Sequence, residues 1–235
     1  MRRICLLALV CLFCAGAHGQ RCDVAKDARG RVVTICVMYY AQIMPQTTGM
    51  GGPSHREITY LGSEFFGFPI WQDGTIQIGS RQIRCSLAYN LMSDELLVKL
   101  QNSETIQKVT PEAFTIGSNR FVWDGTKGKG NRYYLVLNDG PTRLLKTFKC
   151  QLKAAVTNNG YTNSKEEEFD GHYEIQEQYY IKKGSAAPES VYLTRKSVLA
   201  ALGDQAEKVL HELPRRKLTE EQVIQALSHY NSPAQ

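Results

Sequence analysis

Trp71-Gln72-Asp73-Gly74-Thr75-Ile76-Gln77-Ile78-Gly79-Ser80-Arg81-Gln82-Ile83-Arg84-Cys85-Ser86-Leu87-Ala88-Tyr89 decides the fold class of this chain. Apolar residues at Ile76 and Ile78, then at Ile83, Cys85, Leu87 and Tyr89, recur at every second position. That is the period of a strand with one buried face. Two glycine dipeptides, Asp73-Gly74 and Gly79-Ser80, have the composition of hairpin turns. The pattern predicts turns at both dipeptides and strands over Thr75–Ile78 and Gln82–Tyr89, paired antiparallel.

The same period runs outward in both directions, from Arg31 to about Leu193. Towards the N-terminus, Val32–Tyr40 is a continuous β-branched and aromatic run, as expected of a strand buried on both faces. Gln42–Pro53 reads as a loop and Ile58–Gly62 as a strand. Towards the C-terminus, strands are expected over Glu95–Leu100, Thr105–Val109, Ala113–Ile116, Arg120–Trp123 and Arg132–Leu137. Asn138-Asp139-Gly140-Pro141 is a turn. Thr142–Val156 is long enough for a strand with a bulge or bend, and a polar loop, Thr157–Gly171, leads to Tyr173–Lys183. There Tyr173, Ile175, Glu177, Tyr179 and Ile181 share one face. Val191–Leu193 ends the β-rich part. Many short strands with closely spaced turns predict a curled antiparallel sheet, barrel-like or sandwich-like.

After Leu193 the period changes to that of helices. Thr194 can cap one through about Leu202, ended by Gly203. Asp204 with Glu207 resembles a capping box for a second helix to Leu213, stopped by Pro214. Thr219 with Gln222 repeats the signal for a third to about Tyr230. Each carries a narrow apolar stripe, so all three should pack on the sheet. The expected fold is therefore α+β, mainly β: one domain over 20–235, with a β-meander over 20–193 and a helical part over 194–231.

The first nineteen residues, Met1–Gly19, read as a secretory signal. Arg2 and Arg3 precede an uncharged apolar run from Ile4 to Ala15, and Ala17-His18-Gly19 sets a cut before Gln20. The run is too short to span a bilayer, and Val10 and Phe13 suit Cys11 and Cys14 poorly to lipidation. The expected location is secreted or periplasmic, with no transmembrane segment once the signal is removed. Of 28 Lys and Arg, 26 then remain against 23 Asp and Glu, a net +3. So small a charge, spread along the chain, argues against nucleic acid as a partner.

Removing the signal turns seven cysteines into four: Cys22, Cys36, Cys85 and Cys150. An even count in an exported chain permits two disulfides. Cys22 and Cys36 lie nearly equidistant from the turn-like Asp27-Ala28-Arg29-Gly30 and would face each other across a hairpin. Cys85 and Cys150 both point to the apolar face of a strand, where they either bond or fill space as thiols. No CxxC pair or Cys/His cluster has the spacing of metal ligands, so no metal and no cofactor is expected.

A recurring layout is also present. It consists of Tyr60-Leu61-Gly62, Trp71, Asp73-Gly74-Thr75-Ile76, and Leu87-Ala88-Tyr89-Asn90 followed by Asp94-Glu95-Leu96-Leu97-Val98-Lys99. It ends with Tyr179-Tyr180-Ile181-Lys182-Lys183, Lys196-Ser197-Val198-Leu199 and a helix closing on His229-Tyr230-Asn231. From about Tyr60 onward the chain is similar to secreted or periplasmic proteins of Bacteroidota that carry no assigned activity. The resemblance implies an envelope location, and no reaction, ligand or site residue.

Chemistry-bearing residues are scattered. The histidines His55, His172, His211 and His229 show no catalytic spacing: there is no GxSxG turn, and His211-Glu212 lacks the second histidine of a zinc-protease helix. Gly52-Pro53-Ser54-His55-Arg56-Glu57 reads as an irregular surface loop. Asp94-Glu95, Glu174 and Glu177 supply acids for a glycosidase-like pair if the fold brings two together. Asp170-Gly171-His172 with Glu166–Glu168 lacks the alternating oxygen ligands of a calcium loop. The aromatic set Phe65, Phe66, Phe68, Trp71 and Tyr89 would line an apolar pocket, meet a partner or plug the core. Two functions follow. The first is an exported, non-enzymatic envelope protein that binds a partner protein or a small apolar ligand. The alternative is a secreted hydrolase whose site is assembled only in three dimensions.

Overall fold

The computed structural model describes residues 21–40, 54–100, 105–124, 132–155 and 168–232. The expected signal at Met1–Gly19 and its cut before Gln20 lie outside these residues. So do the loop at 42–53, the basic turn at 127–131 and Glu166-Glu167.

Thirteen strands form one mixed sheet in the order β1-β2-β3-β12-β11-β10-β9-β8-β4-β5-β6-β7, with β13 also on β12. They are β1 Arg21–Lys26, β2 Val32–Tyr40, β3 Ser54–Leu61, β4 Gln72–Ile78, β5 Arg81–Asn90, β6 Glu95–Lys99 and β7 Ile106–Val109. The rest are β8 Ala113–Ile116, β9 Asn119–Asp124, β10 Arg132–Val136, β11 Thr142–Ala154, β12 Gly171–Lys183 and β13 Glu189–Val191. All pairs are antiparallel except β3 with β12, where Gly171 meets Tyr60 and His172 meets Leu61 in parallel. The sheet is not closed: β1 and β7 remain edges. Mainly β, as expected, it is mixed and not wholly antiparallel.

The Gly79-Ser80 turn forms between β4 and β5 with Gly79 at φ 58°. Asp73-Gly74 makes no turn. It lies inside β4, paired with Ser86-Cys85 on one side and, at Gly74, with Ile116 of β8 on the other. The strand expected from Ile58 starts at Ser54, so the Ser54-His55-Arg56-Glu57 cluster is strand and not irregular loop. The expected bulge in β11 is absent on its β12 side. That ladder runs unbroken from Thr142↔Lys183 to Ala154↔Gly171. In β2, Val33, Thr34 and Cys36 are buried while Ile35 and Val37 are only half-buried, because β2 lies one strand from the edge.

The β1–β2 hairpin is set by Asp27. Its Oδ1 accepts from the backbone N–H of Arg29 at 2.8 Å and of Arg31 at 2.9 Å, an Asx-type turn. Gly30 takes φ 78° there. This register places Cys22 opposite Cys36, and the two are joined by a disulfide. Cys85 and Cys150 are unbonded thiols. Both sit in one apolar core, 4% and 6% exposed, so the second expected disulfide gives way to the space-filling role. Burial raises Cys85, and burial with the nearby Glu64 charge pushes Cys150 up to about 11. Thiolate is the nucleophile in alkylation, so in native protein both cysteines should resist iodoacetamide. Unfolding without reductant should expose two alkylatable thiols by mass; zero or four would contradict this pairing.

Two cores share the inner face of the long β11–β12 pair. The first is ring-rich and gathers Leu87, Tyr89, Leu96, Phe114, Ile116, Phe121, Tyr133 and Cys150 under the curl of the sheet. The second lies where Leu144, Ile181 and Val191 meet the helical part. Both Tyr133 and Tyr134 are buried.

The helical part holds two α-helices, α1 Arg195–Leu202 and α2 Glu220–Asn231, and not three. Thr194 caps α1 by accepting from Ser197 N–H. Thr219 and Gln222 close a full capping box on α2. Between them Gly203–Val209 is a 3-10 helix with no side-chain cap. Ten residues between Gly203 and Pro214 give little room for α-helix, and burying Val209 and Leu213 fixes the segment instead. Asn231, at the end of α2, clamps the sheet. Its Nδ2 donates to Thr142 O at 2.8 Å and its Oδ1 accepts from Thr142 N at 3.0 Å, as a neighbouring strand would.

Candidate functional site

Four of the five candidate aromatics follow the path of residues 62–71 between β3 and β4, and the fifth, Tyr89, lies on β5. Phe66 N–H donates to Tyr89 O, and Leu91 N–H to Glu64 O, both at 2.8 Å, with Phe65 bridged to Asn90. The segment thus prolongs the β4 edge of β5 and turns Phe66 inward. Phe66 meets Phe121 edge-on at 5.1 Å and Phe148 at 5.5 Å. Tyr89 is 3% exposed and surrounded by Phe114, Phe121 and Tyr133 at 5.1–5.9 Å. These two are brought together in the first core. Phe65 and Trp71 are half-buried. Phe68 is 39% exposed, with Lys26 Nζ over its ring at 5.3 Å. The set divides into core and surface instead of lining one pocket.

The candidate acids are held by separate partners. The Tyr89 hydroxyl donates to Asp94, which sits in the left-handed region at φ 57°. Glu95 pairs with Lys108, whose ammonium holds its carboxyl below the usual range. Glu174 lies near Lys153, 3.7 Å away, and accepts from Gln151 and Gln176. Asp170 accepts from Thr59 N–H at 2.8 Å and from Arg56 at 3.1 Å, tying β12 to β3. Glu168 takes Arg29 and Arg31. Among the described residues no group of three His, Cys, Asp or Glu could hold a metal ion. The four histidines among the described residues are all exposed; His55 is on β3, His172 on β12, His211 beyond the 3-10 helix and His229 on α2, bonded to Glu212 at 2.7 Å.

One polar cluster lies at the seam between the two cores. Lys146, 9% exposed, sits between Leu144 and Phe148 on the inner face of β11. Its Nζ lies 2.5 Å from Glu220 of α2 and 3.4 Å from Glu177 of β12. It also rests over the Tyr179 ring at 5.3 Å. The Tyr179 hydroxyl is 2.8 Å from Glu177 and 3.1 Å from Glu220, so one proton serves two carboxylates. A lone ammonium at this depth would be costly. With two carboxylates around it, the cluster instead locks α2 onto the sheet. Glu177 was legible as an acid on an apolar face. Lys146 was missed, although a lysine alternating with Leu144, Phe148 and Cys150 breaks the apolar pattern in the same way.

Burial comes first, and the Glu177 carboxylate second, in raising the Tyr179 phenol above its ordinary value. Tyr133 is raised by burial and by Asp94, and Tyr173 by burial and by Glu64. A raised phenol favours the folded state only while it stays protonated. The contribution is whole below the unfolded value of about 10 and is lost as pH climbs past it. Urea midpoints should therefore fall steadily above pH ~10 as buried phenols are forced to ionise. Twelve tyrosines all ionising near their ordinary value with the fold intact would refute this.

Among the described residues, no helix is long and apolar enough to cross a membrane. No known protein family, curated protein or solved structure matches the chain.

Proposed function

We propose that this protein is an exported, non-enzymatic envelope component that works by binding a protein partner. The observation that carries this reading is the filled interior of the curled sheet. Phe114 and Phe121 stack at 4.7 Å, with Tyr89, Tyr133 and Phe66 packed edge-on around them. A small apolar ligand would have to displace these rings, which disfavours the carrier reading and leaves the surface for recognition. The hydrolase alternative has little support from acids already committed to Lys108, Lys146, Lys153 and Arg56.

Export is supported by the Met1–Gly19 pattern and by the Cys22–Cys36 disulfide, a bond that persists in oxidising compartments. The resemblance of the layout from about Tyr60 onward to envelope proteins of Bacteroidota implies the same location. The test is fractionation and chemical cross-linking in the native host. A chain starting at Gln20, found in the envelope or medium and cross-linked to a second protein, is the expected result. A cytoplasmic chain retaining Met1 overturns export. A purified chain that hydrolyses a substrate, and loses that activity on Glu177→Gln, overturns the non-enzymatic reading.

A further inference from the structure

Between the first turn of α1 and residues 215–217 runs an open groove of about 710 Å³. Its walls are stitched by a bridge between Thr194 and Lys217 and by Leu218 N–H to Leu193 O at 3.0 Å. Arg195, Lys196, Arg215, Arg216 and Lys217 line it, with Leu199 as the apolar contribution. Arg195 is committed to the scaffold, its guanidinium donating to Leu210 O at 2.7 Å. The other four cations are exposed, and among the described residues none is ion-paired. Several other cations have an acid of their own, Arg31 with Asp27, Arg56 with Asp170, Lys108 with Glu95 and Lys146 with Glu220.

A second observation is independent of the groove's shape. The first turn of α1 has no acidic residue and carries Arg195 and Lys196 instead. Cations at a helix N-terminus oppose the macrodipole, each losing a few tenths of a kcal/mol or more. Four unpaired cations and a reversed first turn form a site whose local repulsion an anionic ligand would relieve.

The occupant must match both the charge and Leu199. Free phosphate is far smaller than this groove, which is of ordinary ligand-pocket size. A sulfated sugar would satisfy the cations yet offer no apolar group to the leucine. Guanidinium forks at Arg215 and Arg216 suit carboxylates in two-point contact. We propose that the groove docks an acidic peptide segment of a protein partner. Carboxylates lie on Lys196, Arg215, Arg216 and Lys217, and one apolar side chain covers Leu199. This rests on the reading that the protein acts by binding another protein.

The test is fluorescence anisotropy of the full chain with a short labelled peptide of Asp and Glu around one central Leu. Saturable binding is expected, weakening as salt rises. R215Q/R216Q should weaken it about tenfold, the effect of losing one good charge-assisted contact. Because both side chains are exposed, its thermal midpoint should be unchanged. Replacing the peptide's Leu by Gln should weaken binding severalfold, and the all-amide peptide should not bind. The proposal is overturned if the acidic peptide fails to bind or if its Leu is irrelevant. It is equally overturned if inorganic phosphate, a sulfated glycan or phosphatidylglycerol vesicles bind as tightly and lose affinity in the same variant. Cross-linking in the host separates the two readings. A cross-linked partner that persists in R215Q/R216Q removes the groove and keeps the binding reading, whereas no partner in the wild type removes both.

Discussion

Gly74→Val is expected to destabilise the protein by more than about 3 kcal/mol, at the upper end for overpacking a core. The cause is space and not backbone conformation. A Cβ at Gly74 would overlap the Thr115 carbonyl oxygen and lie 2.6 Å from Leu87 Cδ1. The oxygen belongs to β8, which pairs with β4 here, so the two strands would have to part. Leu87 is wholly buried and has no room to retreat. Gly79→Ala gives the comparison. That residue has φ 58° and nothing within 4 Å of an added Cβ, so only the left-handed penalty of about 1–2 kcal/mol applies. Urea midpoints of both variants measure the difference. Equal losses, or a Gly74→Val midpoint near wild type, would show that β4 and β8 do not approach as described.

The same glycine shows how far the sequence could be read. Asp73-Gly74 has the composition of a hairpin turn, and nothing local to it reveals a third strand crossing at Gly74. Gly79-Ser80 was legible because the strands it joins are adjacent in sequence and its positive φ needs glycine. Local pairing was legible in the same way at Asp27 and at Cys22 opposite Cys36. Long-range closure was not. Cys85 and Cys150 both pointed to an apolar face, yet period two says only which face, and two thiols on one face need not meet. The parallel contact of β3 with β12 rests on Asp170 reaching Thr59, a pairing that no spacing announces. In the helical part, caps at Thr194 and Thr219 marked both α-helices correctly. Asp204 with Glu207 imitated a third cap where the burial of Val209 and Leu213 decided otherwise. The site reading failed for a related reason. Phe65, Phe66 and Phe68 are neighbours in sequence, but the bridge at Phe65 sends Phe66 inward, and the turn at Gly67, with its positive φ, leaves Phe68 out. Arg215, Arg216 and Lys217 are neighbours in sequence, and no local signal announces the Thr194–Lys217 bridge that sets them against Lys196.

Phe121→Ala should cost about 3–5 kcal/mol, the range for removing a buried ring. Phe121 has no exposed surface and stacks on Phe114 at 4.7 Å with planes 12° apart. Tyr89 and Phe66 each stand edge-on to it at 5.1 Å. Its loss removes transfer energy and leaves a void that β8, β9 and β5 cannot collapse into without breaking their ladders. Phe68→Ala should lose under about 1 kcal/mol, since that ring is already part-exposed. The larger variant also bears on function. A cavity walled by Phe114, Tyr89 and Phe66 is apolar, and such cavities stay dry and accept benzene-sized guests. Saturating benzene should therefore recover part of the lost midpoint in Phe121→Ala and leave the wild type unmoved. If the wild type were itself stabilised by small apolar molecules, the interior could not be full. The protein would then be a carrier, and the groove beside α1 would lose its claim as the principal binding surface.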